Sequence, residues 1–254
     1  MEHLLEMQDV KMYFGGVHAV DGITAAVDKG KMFGIIGPNG SGKTTLINAL
    51  TGVYTATSGK FIFCGKDITK KKLQDMTELG IARTFQNLRI FTAMTVLENV
   101  QVGMHTHIRE NLIDAIFKTP KYRRYEEESR LRAKKALEMV GLEKQMDNYA
   151  GDMPYGMQKK LEIARALVMD PQLLILDEPT AGMNAVESEE QIQLVKRIQE
   201  ERQIAVILIE HNMKLMMKMA DYVLAMDAGK EIAKGVPEEI QNNERVIRSY
   251  LGEE

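Results

Sequence analysis

The sequence predicts an α/β fold: a parallel sheet covered by helices, with a β-rich flap at its start and a helical insertion in its middle. Three observations carry this reading. Apolar strand-like runs at 60–64, 81–85, 173–176, 204–209, 222–226 and 231–234 alternate with helix-length segments, the pattern of parallel strands buried on both faces. Between residues 4 and 27, apolar and polar residues alternate around Gly15-Gly16 and Asp21-Gly22, which predicts short strands joined by turns. From 95 to 150 there are no β-branched runs, and the charged stretch 121–144 carries apolar residues at Leu131, Ala133, Leu137 and Val140. That stretch reads as helices with a solvated, charged face.

Bulk properties narrow the class. With 254 residues, the chain is long enough for one α/β domain with an insertion. Its 44% apolar and 27% charged residues are ordinary for a globular protein, and no apolar stretch approaches the roughly 20 residues that a membrane-crossing helix needs. The start, Met1-Glu2-His3-Leu4-Leu5, has neither a basic segment nor a sustained apolar one, so cytoplasmic residence is expected. A single cysteine, Cys64, allows no internal disulfide. A net charge of −3 argues against a broad nucleic-acid surface. The 18 methionines are scattered, as core and interface filling requires.

The chemistry concentrates in two places. Gly37-Pro38-Asn39-Gly40-Ser41-Gly42-Lys43-Thr44 follows the apolar run 32–36 and precedes the helix-like Thr45-Leu46-Ile47. Glycines let successive N–H groups turn towards one anion, and Lys43 can bridge outer phosphates. The Thr44 hydroxyl can ligate Mg²⁺ beside a helix N-terminus whose dipole favours negative charge. Such a loop needs an acidic partner, and Leu173-Leu174-Ile175-Leu176-Asp177-Glu178 provides one, a buried strand ending in two carboxylates. Asp177 can hold the metal and Glu178, one residue on, can polarise an attacking water. By contrast, His105 and His107 have neither helical ligand spacing nor an acidic partner and read as structural.

With Gln86 after the run 81–85, His211 after the run 205–209, and Met153-Pro154-Tyr155-Gly156-Met157-Gln158 between them, the chain resembles an ATP-binding cassette over nearly its whole length. The wording Phe14-Gly15-Gly16, Ala82-Arg83-Thr84-Phe85-Gln86-Asn87, Asp177-Glu178-Pro179-Thr180-Ala181-Gly182-Met183-Asn184 and Ile209-Glu210-His211-Asn212-Met213 looks like the ATPase subunit of importers for branched-chain, hydrophobic amino acids. The resemblance implies a P-loop NTPase of the ABC type. Its nucleotide-binding core and β subdomain would span 1–86 and 161–254, with a helical subdomain at 87–160. It implies ATP and Mg²⁺ as ligands, with Phe14 stacking on adenine and Tyr13 the competing candidate. Residues Asn39 to Thr45 would cradle phosphates, Thr44, Gln86 and Asp177 hold the metal, Glu178 orient water, and His211 contact the γ-phosphate. It further implies two membrane-spanning permease subunits, a second cassette, an extracytoplasmic substrate-binding protein, and a peripheral place on the cytoplasmic face of the membrane. Residues 88–100, with Leu88, Ile90, Phe91 and Met94, would meet the permeases or else form local core.

Two departures matter. The usual signature begins Leu-Ser-Gly-Gly-Gln; here Pro154 stands in place of the serine, so the amides of Tyr155, Gly156 and Met157 would face the anion instead. Asn184 replaces a usual aspartate. The competing readings are a soluble cassette serving nucleic-acid or translation processes, a silent regulatory subunit, and an importer of amides or urea.

Overall fold

The computed structural model describes residues 3–84, 88–104 and 119–251. The chain divides into one unit of Met1–Ile81 with Gln172–Glu254 and a second of Ala82–Pro171.

The first unit holds two sheets. Strands β1 (Leu5–Phe14), β2 (Val17–Val27), β4 (Ser58–Phe63) and β5 (Lys66–Asp67) form an antiparallel sheet in the order β2-β1-β4-β5. The other sheet has the order β10-β9-β3-β8-β7-β6, from strands β3 (Met32–Ile36), β6 (Ile81–Arg83), β7 (Leu173–Asp177), β8 (Ala205–Ile209), β9 (Tyr222–Asp227) and β10 (Lys230–Gly235). Strands β7, β8, β3 and β9 pair in parallel. Every residue of β3, β7 and β8 is buried, as a parallel strand covered on both faces requires.

The parallel core is the expected one, with two exceptions among the predicted strands. The run 60–64 joins the antiparallel sheet through β1. The run 231–234 returns antiparallel to β9 across the two-residue turn Ala228-Gly229, whose φ values of 43° and 81° suit a tight hairpin. Nothing in a short apolar run distinguishes these pairings before the turn is known.

Helices α1 (Lys43–Leu50), α2 (Leu73–Met76), α6 (Ala185–Arg202), α7 (Met213–Met219), α8 (Pro237–Gln241) and α9 (Glu244–Leu251) complete this unit. A core of Phe33, Ile35, Leu46, Ile47, Phe61, Ile175, Ile207 and their neighbours joins the two sheets through α1. Helix α7 lies so close to β3 that a Cβ on Gly34 would fall 2.3 Å from Met216 Sδ.

In the second unit, α3 (Val96–Val102) starts at Thr95, which forms a reciprocal cap with Glu98. Helix α4 (Pro120–Val140) begins with Thr119 and Pro120 and stops at Gly141 in the left-handed region. Ala133, Ala136, Leu137 and Val140 make its buried face, at the helical spacing of three and four residues, whereas Leu131 is 55% exposed and lies off that face. Helix α5 (Tyr155–Leu167) also belongs wholly to this unit, beyond the boundary at residue 160 expected from the sequence.

Candidate active site

The glycine-rich loop leaves the buried end of β3 and enters α1 directly. Gly37, Gly40 and Gly42 have φ values of 150°, 82° and 99°, in the region L side chains rarely adopt. At two of them space is also closed: a Cβ on Gly37 would lie 2.2 Å from the Met226 carbonyl, and one on Gly42 would lie 2.2 Å from the Ala19 carbonyl. The loop is therefore pressed against β9 on one side and β2 on the other, and only its outer face can take a ligand. Asn39, Gly40 and Thr44 are exposed there, Pro38 and Thr45 half-buried, and Ser41 buried.

Lys43 is buried, and its Nζ donates to the carbonyls of Gly37 at 2.8 Å and Pro38 at 2.9 Å. Burial pulls its pKa below the ordinary lysine value, while the carboxylates of Glu178 and Asp177 work the other way. The ammonium thus stands at the floor of the loop within the field of both acids.

Those acids close β7. Asp177 pairs with Ile209 of the neighbouring strand and is only 2% exposed. At Glu178 the backbone turns to φ 52° while its N–H still donates to the Ile209 carbonyl at 3.0 Å. This turn takes Glu178 out of the strand alternation, and its carboxylate meets His211 Nε2. His211 follows the end of β8 and is half exposed, so a carboxylate and an imidazole from adjacent strands face one another at the rim. A carboxylate so placed can take a proton from water, and an imidazole can donate to a developing oxyanion.

Glu210, the residue before His211, is a buried carboxyl that clamps the loop after Glu178. It accepts from the Thr180 N–H at 3.1 Å and the Thr180 hydroxyl at 2.7 Å. Burial pushes its pKa up, and the Thr180 hydrogen bonds partly offset that. An acid directly after an apolar strand was the only signal of it in the sequence.

The aromatic candidates separate cleanly. Tyr13 donates to Asp21 Oδ1 at 2.8 Å and stacks on His18 at 4.0 Å. Phe14 is 44% exposed and touches the Tyr54 ring edge-on at 5.3 Å, which leaves it a face on which a base can stack. Gln86 lies outside the described residues, as do His105 and His107.

In the second unit, Pro154 caps α5, and the Met157 N–H donates to the Pro154 carbonyl at 2.9 Å. Of the three amides expected to face an anion, Met157's is therefore engaged. Those of Tyr155 and Gly156 begin the helix, where no intrahelical acceptor exists. In the segment 88–100, Phe91 and Met94 are exposed and Leu88 and Ile90 half-buried, so they do not form local core. Asn99 is buried and shapes that segment, its Oδ1 accepting from the Phe91 N–H and its Nδ2 donating to the Phe91 and Thr95 carbonyls, each at 2.9 Å.

The residues fit a nucleoside triphosphate. The loop is open only outward, a Cβ on Gly37 or Gly42 would collide with backbone, and a buried ammonium stands behind it. The hydroxyl of Thr44 and the carboxylate of Asp177 are hard oxygen donors suited to Mg²⁺. Among the described residues no group of three or more His, Cys, Asp and Glu forms a metal cage. An ion here would share its shell with phosphate and water oxygens, the habit of Mg²⁺.

A loop built round phosphate on β3, an acid pair on β7 and a histidine on the strand between them belong to a nucleoside-triphosphate hydrolase of the cassette class. The model of the family described as "ABC transporter" matches residues 20–181, and one described as "Branched-chain amino acid ATP-binding cassette transporter" matches 230–254. The chain belongs to the ABC transporter family, as an ATP-hydrolysing cassette. It is 41% identical over 250 residues to the high-affinity branched-chain amino acid transport ATP-binding protein BraF of Pseudomonas aeruginosa, with 98% of both chains covered. It is 39% identical to LivG, the protein of the same description from Escherichia coli, again over 98% of both. Among solved structures, a nucleotide-free cassette from an ABC transporter superposes with a TM-score of 0.86 at 35% identity, covering 99% of this chain and all of that one. An ADP-bound conformation of such a cassette gives 0.87 at 33% identity over the full length of both.

Proposed function

We propose that this chain is the ATPase subunit of an importer for branched-chain, hydrophobic amino acids, working at the cytoplasmic face of the membrane with two permease subunits, a second cassette and an extracytoplasmic binding protein. The observation that carries the reading is the full-length similarity to branched-chain amino acid transport ATP-binding proteins. Among the described residues no helix is long and apolar enough to cross a membrane, so the path for cargo would lie in other subunits.

In this reading each site residue has a role. Residues Gly37, Pro38, Asn39, Gly40, Ser41, Gly42, Lys43, Thr44 and Thr45 hold the phosphates, and Phe14 stacks on the base. Thr44 and Asp177, with Gln86, hold Mg²⁺, which when bound neutralises charge on the outer phosphates. Glu178 orients and deprotonates the attacking water, and His211, positioned by the Glu178 carboxylate, donates to the γ-phosphate. Tyr155, Gly156 and Met157 begin the helix that a partner's nucleotide would meet, with Tyr155 and Gly156 offering amides. The exposed Phe91 and Met94 form the face for the permease helices.

Replacing Glu178 by Gln tests the catalytic reading. Turnover should fall by roughly 10²–10⁴-fold while ATP binding is retained; steady-state hydrolysis that survives the change removes Glu178 from the role of base. Purification of the tagged chain from gently solubilised membranes tests the transport reading. Two multi-span permeases and a second cassette should accompany it, and recovery of nucleic-acid or ribosomal factors alone would move the chain to the soluble class.

A further inference from the structure

The C-terminal helix reaches the phosphate loop. The Gly37 N–H donates to Tyr250 Oη at 2.8 Å, across 213 residues of sequence. Gly37 is the first residue beyond β3, where the ladder to β9 ends at Ile36 and Ala225, so its amide has left the sheet that would otherwise engage it. The same residue is held from its other side, because its carbonyl accepts from Lys43 Nζ at 2.8 Å. Its α-carbon is wedged between the Met226 carbonyl and Ser41 Oγ, which a Cβ would approach to 2.2 and 2.6 Å. Tyr250, Gly37 and Lys43 therefore form one chain of contacts from the last helix to the ammonium behind the phosphates.

The helix is anchored well enough to act. Asn243 Oδ1 accepts from the Arg245 N–H at 3.0 Å and the Val246 N–H at 3.4 Å, and Val246 is fully buried. Tyr250 lies in a surrounding that pushes its phenol pKa up by burial, so the hydroxyl stays neutral and can accept from the glycine amide.

We propose that Tyr250 is a positioning residue for ATP binding: its hydroxyl fixes the base of the phosphate loop through Gly37 and thereby sets Lys43. The proposal rests on the reading of the loop as an ATP site. Loss of the hydroxyl leaves the ring and the helix in place but frees the Gly37 peptide to tilt, so the loop binds phosphate with an ordering penalty that the tether now removes.

The test is Tyr250→Phe in the full chain, read by ATP affinity, KM against kcat, thermal unfolding and hydrogen exchange of the Gly37 amide by NMR. ATP affinity should weaken by roughly 2- to 10-fold, the worth of one neutral hydrogen bond. The loss should fall mainly on KM, Gly37 exchange should accelerate, and the melting temperature should change little. Unchanged ATP affinity, or a lower melting temperature with no change in affinity, overturns the proposal. The wild-type chain gives a second check that needs no variant: a Gly37 amide that exchanges as fast as those of the exposed loop residues is not held by Tyr250. If the wild-type chain itself fails to bind ATP, the reading of the site falls; if it binds ATP and the variant binds equally, only the tether falls.

Discussion

A buried carboxyl shows how much of the site depends on partners distant in sequence. Glu210 shares one oxygen between the N–H and hydroxyl of Thr180 and is otherwise enclosed. Its folded pKa lies above its unfolded value, so the folded state holds the proton more tightly. That contribution is whole below the ordinary carboxylate range and is lost as pH rises through the raised pKa. Glu210→Gln, which keeps an acceptor for Thr180 without the charge, should therefore gain stability relative to the wild type as pH rises across that window. Melting curves between pH 4 and 8 check this, and a difference that stays flat with pH would mean that Glu210 does not titrate in the fold. At this scale the sequence was legible where function depends on local backbone. The glycines from Gly37 to Gly42, Lys43, Asp177 and Glu178 are readable because the loop and the strand end carry their own geometry. Glu210 and Tyr250 were not, because each acts through a residue brought near only by the fold, 30 and 213 positions away.

Helix ends carry the departures from the usual cassette wording. Asn184 is a cap: its Oδ1 accepts from the Val186 and Glu187 amides at 2.9 and 3.0 Å, and Glu187 returns a bond to the Asn184 N–H at 3.0 Å. Asn184→Ala should cost about 1 kcal/mol of stability, measurable by denaturant unfolding, whereas Asn184→Asp should preserve it. Pro154 also occupies a cap position but makes no side-chain bond to the helix. Pro154→Ser should strengthen that end by about 0.5–2 kcal/mol and, with the partner cassette present, raise ATP turnover modestly through the added donor. Turnover that is unchanged or lower would deny the signature serine a role at this site. Caps were legible in part, since Thr95 and Glu98 have the right spacing. The assignment of β4 and β10 to antiparallel pairs was not, because pairing is decided by turns and by neighbouring strands rather than by the apolar runs themselves.

The first unit gathers its phosphate loop, acid pair and histidine along one rim of the parallel sheet, where β3, β8 and β7 end side by side. Open α/β sheets bind ligands there because the strand ends present loops rather than side-chain-filled faces, and that much follows from the alternation of strands and helices. The contribution of the second unit is a matter of assembly. A cassette with a proline in its signature and an intact Glu178 with His211 should pair most productively with a different cassette. Co-expression with the second cassette recovered from membranes should raise turnover per site above that of the isolated chain, and equal rates would favour self-pairing. Cys64 is the sole thiol in the sequence; it is exposed and sits in the turn just beyond β4. A maleimide fluorophore would therefore label the chain at a single known point without altering one catalytic atom.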